Sequence, residues 1–515
     1  MNHESRTYKS LQNSFVALAF YFVNLVLQFY FRQIFIQKLG SEILGLNTTT
    51  TSLLQFLNLA EMGIGSAVAC TLFKPLHDKD YIAINEIVSL QGWLYRKIAF
   101  FIIGGSAILL CFFPLIFKKT DLPLWYAYAS YLVMLFSSLL GYFVNYKQIV
   151  LSANQQEYKI RLSYNASMMI KIIVQIFTLS FFTNGYIWWI VLEALFAIVA
   201  AKTLNVAVKK SAPYLKTDNK AGALYRKKYP DVITKVKQMF FHKASRYALT
   251  QLSPIIIYTY ATLSTVAIYG NYILIVTGLT ALLDAIFHSI TAGVGNMVAE
   301  GNKQRILSVF RELFSSRFWI VSSITFSLYH LADSFVALWV GSEYIIDGTS
   351  LALIVLIFFL NTSRTVVDNF ISAYGLFKDI LAPVIEACIN VGLSLLLGYY
   401  YGLPGILGGV AISLVLVVHI WKPYFLFKNA LKHPLGFYVL LYAKHLIALI
   451  ISFLICSFTL YLKAFSFGSG TPAFIIRGLY TFLLFGTVEF VILYTCEKGM
   501  RDFILRLFDI YKKRI

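Results

Sequence analysis

Residues 58 to 80 read NLAEMGIGSAVACTLFKPLHDKD, and this stretch places a carboxylate, Glu61, in an apolar segment two residues before a Gly-Ile-Gly. Lipid offers the backbone no hydrogen-bond partners, so an apolar segment of this kind is expected to satisfy its peptide groups internally, as a helix. The charged run KPLHDKD marks the end of the segment. A carboxylate inside such a helix requires a partner, a cavity or a protonated state.

The composition of the whole chain extends this expectation to the entire protein. Of its 515 residues, 58% are hydrophobic, 17% are aromatic and 13% are charged, whereas about 25% are charged in an ordinary soluble domain. The sequence therefore predicts an all-α polytopic membrane protein. The cysteines form no C-x-x-C pair, so neither a disulfide framework nor a metal site is predicted: Cys70, Cys111, Cys388, Cys456 and Cys496.

Stretches of about 20 apolar residues, the length needed to cross a bilayer, recur along the chain. We predict fourteen spans, at 13–36, 45–72, 93–117, 124–146, 162–182, 185–208, 240–264, 267–298, 312–332, 349–374, 380–401, 404–427, 436–462 and 472–495. An even number of spans places both termini on the same side of the membrane.

The distribution of Lys and Arg indicates which side that is. The N-terminus, the connections after even-numbered spans and the C-terminal tail hold 36 of the 44 Lys and Arg residues. The opposite connections hold five, and Arg32, Lys171 and Arg364 are assigned to spans. Cations within the cytoplasmic ends of predicted spans, Arg317 among them, are counted with the 36. By the positive-inside rule both termini are predicted to be cytoplasmic. The net charge of +20 then reflects topology and does not predict binding to nucleic acid.

A dense basic connection divides the spans into two groups. We predict an N-lobe at 1–208 with helices 1 to 6, a basic cytoplasmic connection at 209–239 and a C-lobe at 240–427 with helices 7 to 12. Residues 428–515 supply helices 13 and 14 and a basic cytoplasmic tail. The basic connection is expected to lie on anionic headgroups.

A weak internal similarity supports two related lobes. LGLN (44–47) and GIGSAV (63–68) in the first group resemble YGNY (269–272) and GVGNMV (293–298) in the second. The first element of each pair is expected in a short outer turn. The alternative is chance recurrence of small residues at helix packing sites.

Polar and charged side chains recur at helical spacing along several spans. An ionised group at the bilayer centre costs roughly 2.5 to 3.5 kcal/mol on insertion scales, so these stripes are expected to face a cavity or one another. The main positions are Asn24, Gln28 and Arg32 in span one, Asn58 and Glu61 in span two, Lys171 in span five, Asp284 and His288 in span eight, Arg364 and Asp368 in span ten, and Glu386 and Asn390 in span eleven.

No Ser/His/Asp arrangement and no H-E-x-x-H motif occurs, so no catalytic residues are predicted and the chain is not expected to be an enzyme.

Several of the charged positions also have a structural interpretation. The structural alternatives are snorkelling of Arg32 to the headgroups, mutual neutralisation of Arg364 and Asp368, a hydrogen-bonded pair of Asp284 and His288, and bracing of the helix by Glu61.

Three stretches carry a resemblance to a known family. FRQIFIQKLGSEILGLNTTTTSLLQFLNLAEMGIGSAVACTLFKPLHDKDYIAINEIV (31–88) resembles the first helix pair of Wzx-type oligosaccharide-lipid flippases. YGNYILIVTGLTALLDAIFHSITAGVGNMVAE (269–300) is similar to their eighth helix. NTSRTVVDNFISAYGLFKDILAPVIEACINVGLSLLLGYYYGLPGILGGVAIS (361–413) is similar to their tenth to twelfth helices. The family belongs to the multidrug, oligosaccharidyl-lipid and polysaccharide exporter superfamily.

This resemblance implies two six-helix lobes, two C-terminal helices, and alternating access driven by an H⁺ or Na⁺ gradient without a cofactor. The implied substrate is an oligosaccharide repeat unit on undecaprenyl diphosphate, moved from the inner to the outer leaflet of the bacterial cytoplasmic membrane for surface polysaccharide such as O-antigen or capsule. Membrane lipids and a polysaccharide polymerase are the implied partners.

The resemblance also suggests roles for the polar stripes. Arg32 and Arg364 occupy motif positions compatible with cavity cations that meet the diphosphate, and depth in the membrane adds Lys171. The expected polar lining comprises Asn24, Gln28, Asn58 and Asn390. Ion coupling or gating is expected at Glu61, Asp284, His288, Asp368 and Glu386. The surplus of acids departs from a plainly cationic cavity.

Two other functions stay open at this point. A cation-coupled multidrug exporter of the same fold would use the acids to bind cationic substrates. A membrane polysaccharide polymerase or ligase would need extramembrane bulk to hold its acceptor, and the short outer connections argue against it.

Overall fold

The computed structural model describes residues 6–237, 240, 251–376, 379, 381–462 and 470–512. Nearly all of these residues are helical, and no strand occurs among them. Eleven helical segments in this part of the chain are long and apolar enough to cross a membrane. The predicted fold class, an all-α polytopic membrane protein, is therefore confirmed.

The helices form two compact units, Met1–Ala267 and Ile268–Ile515. The first unit extends beyond the predicted N-lobe because the Ser253–Tyr260 helix packs on the first helix of the chain, Arg6–Asn58. The predicted domain boundaries remain a prediction.

The helical elements of the first unit follow one another along the chain. They are Arg6–Asn58, a 3₁₀ turn at Leu59–Glu61, Ile64–Asp78, Tyr81–Cys111, Phe113–Ile116, Leu124–Phe143, a 3₁₀ turn at Asn145–Gln148, Ile149–Ala153, Glu157–Ile160, a π-helix at Arg161–Asn165, Ala166–Phe181, Gly185–Ser211, a 3₁₀ turn at Asn219–Ala221, Gly222–Lys228 and Ser253–Tyr260.

A helix at Leu263–Glu300 begins in the first unit and continues into the second. The remaining elements are Lys303–Trp339, a 3₁₀ turn at Ser342–Tyr344, Gly348–Ser363, Thr365–Ala373, Leu381–Ser413, a π-helix at Leu414–Trp421, Lys422–Leu426, a π-helix at Phe427–Leu431, Leu435–Tyr461, Thr471–Cys496 and Lys498–Lys512.

Two of the eleven apolar segments each contain two spans joined by a glycine. Gly40 (φ 86°) interrupts Arg6–Asn58, and Gly402 (φ 61°) interrupts Leu381–Ser413. A positive φ of this kind is readily adopted only by glycine. The eleven segments therefore contain thirteen spans, and the predicted seventh span, 240–264, lies partly outside the described residues.

The expected outer turns are wrong in position. The first turn is at Gly40, and LGLN (44–47) continues the helix beyond it. YGNY (269–272) likewise lies within Leu263–Glu300. Gly45 serves helix packing, because a Cβ added there would lie 1.8 Å from the carbonyl oxygen of Leu263.

The basic connection is folded onto the end of the Tyr81–Cys111 helix. Val232 is fully buried in a cluster that includes Ile84 and Val88. Lys228 forms an ion pair with Glu86 at 2.6 Å. The expectation that this segment simply lies on headgroups is incomplete, because part of it packs against protein.

The C-terminal helix Lys498–Lys512 is joined to Lys303–Trp339 by ion pairs. Glu497, just before this helix, is 1% exposed and lies 2.6 Å from the Nε of Arg311. Arg506 lies 3.0 Å from the carboxylate of Glu312. The tail is thus part of the second unit.

The packing at Gly45 yields a stability prediction. Gly45→Ala forces the helix away from the Leu263 carbonyl, and overpacking of this kind costs about 1 to 3 kcal/mol. Gly104→Ala is the matched control, because Gly104 lies in a helix with no atom within 4 Å of an added Cβ. Thermal unfolding of the purified protein in detergent should show a lower midpoint for Gly45→Ala only. Equal midpoints for the two variants would contradict the close approach.

Candidate functional site

The second span is interrupted at Glu61. Asn58 ends the first helix of the chain, Leu59–Glu61 forms a single tight turn, and Met62 is extended with ψ 127°. Gly63 adopts a left-handed conformation with φ 96°, and the next helix begins at Ile64. The Gly-Ile-Gly therefore terminates one helix and starts another. The apolar pattern of 45–72 predicted one continuous span here and gave no sign of the interruption.

Tyrosine hydroxyls surround the interruption. Tyr142 donates to Oδ1 of Asn58 at 3.1 Å and lies within hydrogen-bonding reach of the half-buried Glu61 carboxylate. The Tyr95 ring meets the Tyr142 ring edge to face at 5.6 Å. Tyr142 thus lies close to both Asn58 and Glu61. This arrangement is compatible with both bracing and ion coupling.

Arg32 contacts the backbone of a distant segment of the same unit. Its Nη2 donates to the carbonyl oxygen of Ala267 at 2.9 Å. A second hydrogen bond joins the same two parts of the chain, from Oγ of Ser41 to Oγ of Ser264 at 3.1 Å. Asn24 and Gln28 lie on the same helix as Arg32 and are half-buried. Arg32 therefore has a structural contact, and its contact with substrate stays a prediction.

Lys171 is engaged in an ion pair that sequence analysis did not foresee. Its Nζ lies 2.8 Å from Oε2 of Glu193 on the neighbouring Gly185–Ser211 helix, and the two side chains are only 15% and 18% exposed. Gln175, one turn along from Lys171, donates to the same carboxylate at 3.0 Å. The charge of Lys171 is therefore balanced within the protein.

The second unit contains a cluster of four charged side chains, which we call the Arg364 cluster: Arg364, Asp368, Glu386 and Lys422. The guanidinium of Arg364 lies 3.4 Å from Asp368 and 3.8 Å from Glu386. Lys422 lies 3.0 Å from Asp368. Three separate helices supply these groups, so only the Arg364–Asp368 pair, at i and i+4, could be read from sequence spacing.

Burial and charge define what the Arg364 cluster can bind. Arg364 and Glu386 are 8% and 5% exposed, whereas Lys422 and Asp368 are 20% and 27% exposed. Two cations and two ionised carboxylates sum to zero net charge. Protonation of either carboxylate leaves a net positive charge at a partly accessible site. Arginine and lysine then offer donors suited to phosphate oxygens.

Asn390 is close to the Arg364 cluster in sequence but has its own partner. It is 3% exposed and donates through Nδ2 to Oγ of Ser413 at 3.2 Å. This bond joins the two spans on either side of Gly402. Its expected role as part of a polar lining stays untested.

Asp284 meets an arginine that sequence analysis overlooked. Oδ1 of Asp284 lies 3.6 Å from Nη2 of Arg317, and Asp284 is 60% exposed while Arg317 is 2% exposed. His288, predicted beside Asp284, has its side chain outside the described residues. Arg317 lies only five residues inside the predicted span 312–332, where a cation is usually taken to mark the membrane surface.

The helix that carries Arg317 is longer than predicted. It runs from Lys303 to Trp339 and starts at Asn302, whose side chain accepts a hydrogen bond from the Arg305 amide at 3.1 Å. Such an N-cap is typical of helix starts. Arg317 consequently lies fourteen residues inside a continuous helix.

Comparisons with solved structures identify the fold. The chain is similar to lipid II flippase MurJ in its inward closed conformation, with 14% identity, a TM-score of 0.65, and coverage of 93% of this chain and 99% of that one. It is also similar to a multidrug resistance MATE family transporter of the MOP superfamily, in an inward-facing conformation (12% identity, TM-score 0.60, 81% and 99% coverage) and an outward-facing conformation (14%, 0.52, 84% and 97%). No family model and no curated protein sequence matches.

At these identities the likeness shows the fold alone. The chain is a multi-pass membrane protein that shares the fold of these solved structures. The resemblance to the Wzx type, read from the sequence, stays a prediction.

The Lys171–Glu193 pair yields a prediction that separates structure from substrate binding. Lys171→Met leaves a largely buried carboxylate unpaired and should cost about 3 kcal/mol, whereas Lys171→Met with Glu193→Gln should restore stability, since replacing both members of a buried pair is often neutral. The thermal unfolding midpoints of the single and the double variant measure this loss and its recovery. If the double variant also transports normally, the expected substrate contact of Lys171 is wrong.

Proposed function

We propose that this protein is a flippase that moves oligosaccharide repeat units on undecaprenyl diphosphate from the inner to the outer leaflet of a bacterial cytoplasmic membrane, for surface polysaccharide export. It acts as a transporter and not as an enzyme, by alternating access coupled to H⁺ or Na⁺. Both termini are cytoplasmic, and membrane lipids and a polysaccharide polymerase are its partners.

The observation that carries this proposal is the Arg364 cluster. Arg364 is 8% exposed within a span, and ionisable residues in such positions usually mark a substrate or ion site. The planar guanidinium binds diphosphate oxygens in pairs, and Lys422 adds a second cation. The resemblance of residues 361–413 to Wzx-type flippases supports the same assignment.

Charge balance in the second unit favours this substrate over a cationic drug. A carrier of organic cations needs a carboxylate free to meet its substrate. Asp284, Asp368 and Glu386 each lie against an arginine or a lysine. A cationic drug would have to displace an arginine or lysine from these carboxylates, whereas a diphosphate headgroup would displace a carboxylate from Arg364 and could then bind the planar guanidinium through two oxygens.

Coupling follows from the same exchange. When Asp368 or Glu386 is protonated or binds an ion, its hold on Arg364 weakens and the headgroup takes its place. When the ion leaves, the carboxylate competes again and the headgroup is released. Each ligand thus favours the binding of the other, and by linkage the effect is reciprocal. Headgroup and ion then cross together, and because the ion moves outward against its gradient, the inside-negative membrane potential acting on the diphosphate charge has to supply the driving force. Glu61 and Asp284 with His288 are further candidates for ion coupling or gating.

The direct test uses proteoliposomes that contain a fluorescent undecaprenyl-diphosphate sugar. Dithionite added outside bleaches only the outer leaflet, so a flippase makes the inner pool accessible. Wild-type protein should do so, and Arg364→Met should abolish it at normal protein level. Lys428→Gln is the matched control, since it removes a cation that contacts only the exposed Tyr424 among its described partners.

Normal translocation by Arg364→Met would contradict the role of this arginine. Transport of a cationic dye by the wild-type protein, with no movement of the diphosphate lipid, would support a cation-coupled multidrug exporter instead.

The exchange model makes a second prediction. Asp368→Asn and Glu386→Gln mimic the protonated state, so the headgroup should bind about tenfold more tightly, and turnover should fall because release is impaired. Binding is measured with undecaprenyl diphosphate on purified protein, and turnover in proteoliposomes. Glu343→Gln, in an exposed turn outside the spans, controls for loss of an acid. Weaker binding by both variants would exclude the exchange.

A further inference from the structure

Arg317 is among the largest fully buried side chains of the described residues, and no step of the proposed transport uses it. It lies in the middle of the Lys303–Trp339 helix. Its guanidinium carbon is 4.4 Å from the centroid of the Phe287 ring. A buried arginine that served only packing would be costlier than an apolar residue of the same size. Its contacts therefore indicate a specific task.

Those contacts converge on the turn of the tenth span that carries Arg364. Arg364 lies between Ser363 and Thr365 with helical backbone angles (φ −65°, ψ −20°), so the span continues through it. Nε of Arg317 donates to the carbonyl oxygen of Thr362 at 3.1 Å. Nη2 donates to Oγ1 of Thr365 at 3.1 Å. Arg317 thus holds the residues on both sides of Arg364 through one edge of its guanidinium.

A carboxylate on a third helix contacts the same edge of the Arg317 guanidinium. Nη2 of Arg317 lies 3.6 Å from Asp284 on the Leu263–Glu300 helix. Nη1 has no hydrogen-bond partner among the described residues. The fixed contacts therefore come from the edge that faces Thr362, Thr365 and Asp284. Three helices meet at this single side chain.

The helical turn from Thr362 to Thr365 decides where Arg364 lies. Arg364 makes its ion pairs with Asp368 one turn further on and with Glu386 on another helix. A rotation of this turn about the helix axis would move the guanidinium of Arg364 away from Glu386. We infer that Arg317 is a positioning residue that fixes this turn of the tenth span and thereby presents Arg364 to a phosphorylated headgroup. This inference rests on the proposed function.

A lysine cannot replace Arg317 in this role. Its ammonium is a compact point charge, whereas the guanidinium donates from Nε and Nη2 in a fixed planar fork. Arg317→Lys keeps the positive charge opposite Asp284 but cannot hold Thr362 and Thr365 in the same geometry. Charge and positioning can therefore be separated experimentally.

The test is a double-mutant cycle on binding of undecaprenyl diphosphate to the purified full-length protein. We expect Arg364→Met to weaken binding about a hundredfold and Arg317→Met about tenfold. Because Arg317 acts through Arg364, the double variant should bind no more weakly than Arg364→Met alone, in place of the roughly thousandfold loss that independent sites would give. Arg317→Lys should lose binding in the same non-additive way.

Arg311→Met is the matched control. It removes an arginine of the same helix that pairs with a buried carboxylate, Glu497, away from the Arg364 cluster. It should lower the thermal unfolding midpoint and leave binding unchanged. If Arg317→Met does not fold, the cycle is completed with Arg317→Lys.

The outcomes separate the inference from the proposed function. Loss of binding in Arg364→Met with none in the Arg317 variants, or with additive losses, overturns the positioning role and leaves the function standing. Unchanged binding in Arg364→Met overturns both. Full rescue by Arg317→Lys also overturns the inference, since charge alone would then suffice.

Discussion

A charged side chain inside a membrane span needs a neutralising or hydrogen-bonding partner, and three sets of ion pairs in the described spans meet this constraint with opposite charges. Lys171 lies against Glu193, Arg317 against Asp284, and Arg364 against two carboxylates. Each of these sets joins different helices. The same contacts that make the charges tolerable in lipid therefore fix helix positions, and their exchange for an outside anion or proton would move those helices.

The span pattern of the fold could be predicted from sequence, because a helix that satisfies its own backbone needs a long apolar stretch whatever its neighbours are. The turns were harder to locate. LGLN has the composition of a turn, yet its glycine serves a close approach to Leu263, and Gly40 makes the reversal. A sequence cannot distinguish a glycine needed for φ from one needed for space.

The candidate site was predictable only where one helix supplies both partners. Arg364 and Asp368 are one turn apart, so their contact follows from helical spacing. Glu386 and Lys422 approach them from other helices, and Glu193 approaches Lys171 in the same way. Arg317 was missed because a cation near a predicted span end resembles a surface residue. Its burial becomes evident only once the N-cap at Asn302 shows how far the helix extends.

The most direct measurement for the Arg364 cluster as a diphosphate site is photocross-linking with an undecaprenyl diphosphate analogue that carries the reactive group on its headgroup. Mass spectrometry of the labelled protein should find the label in peptides from residues 348–376 or 414–431, and excess inorganic diphosphate should suppress it. Label confined to other parts of the chain, or label that diphosphate does not displace, would contradict the account.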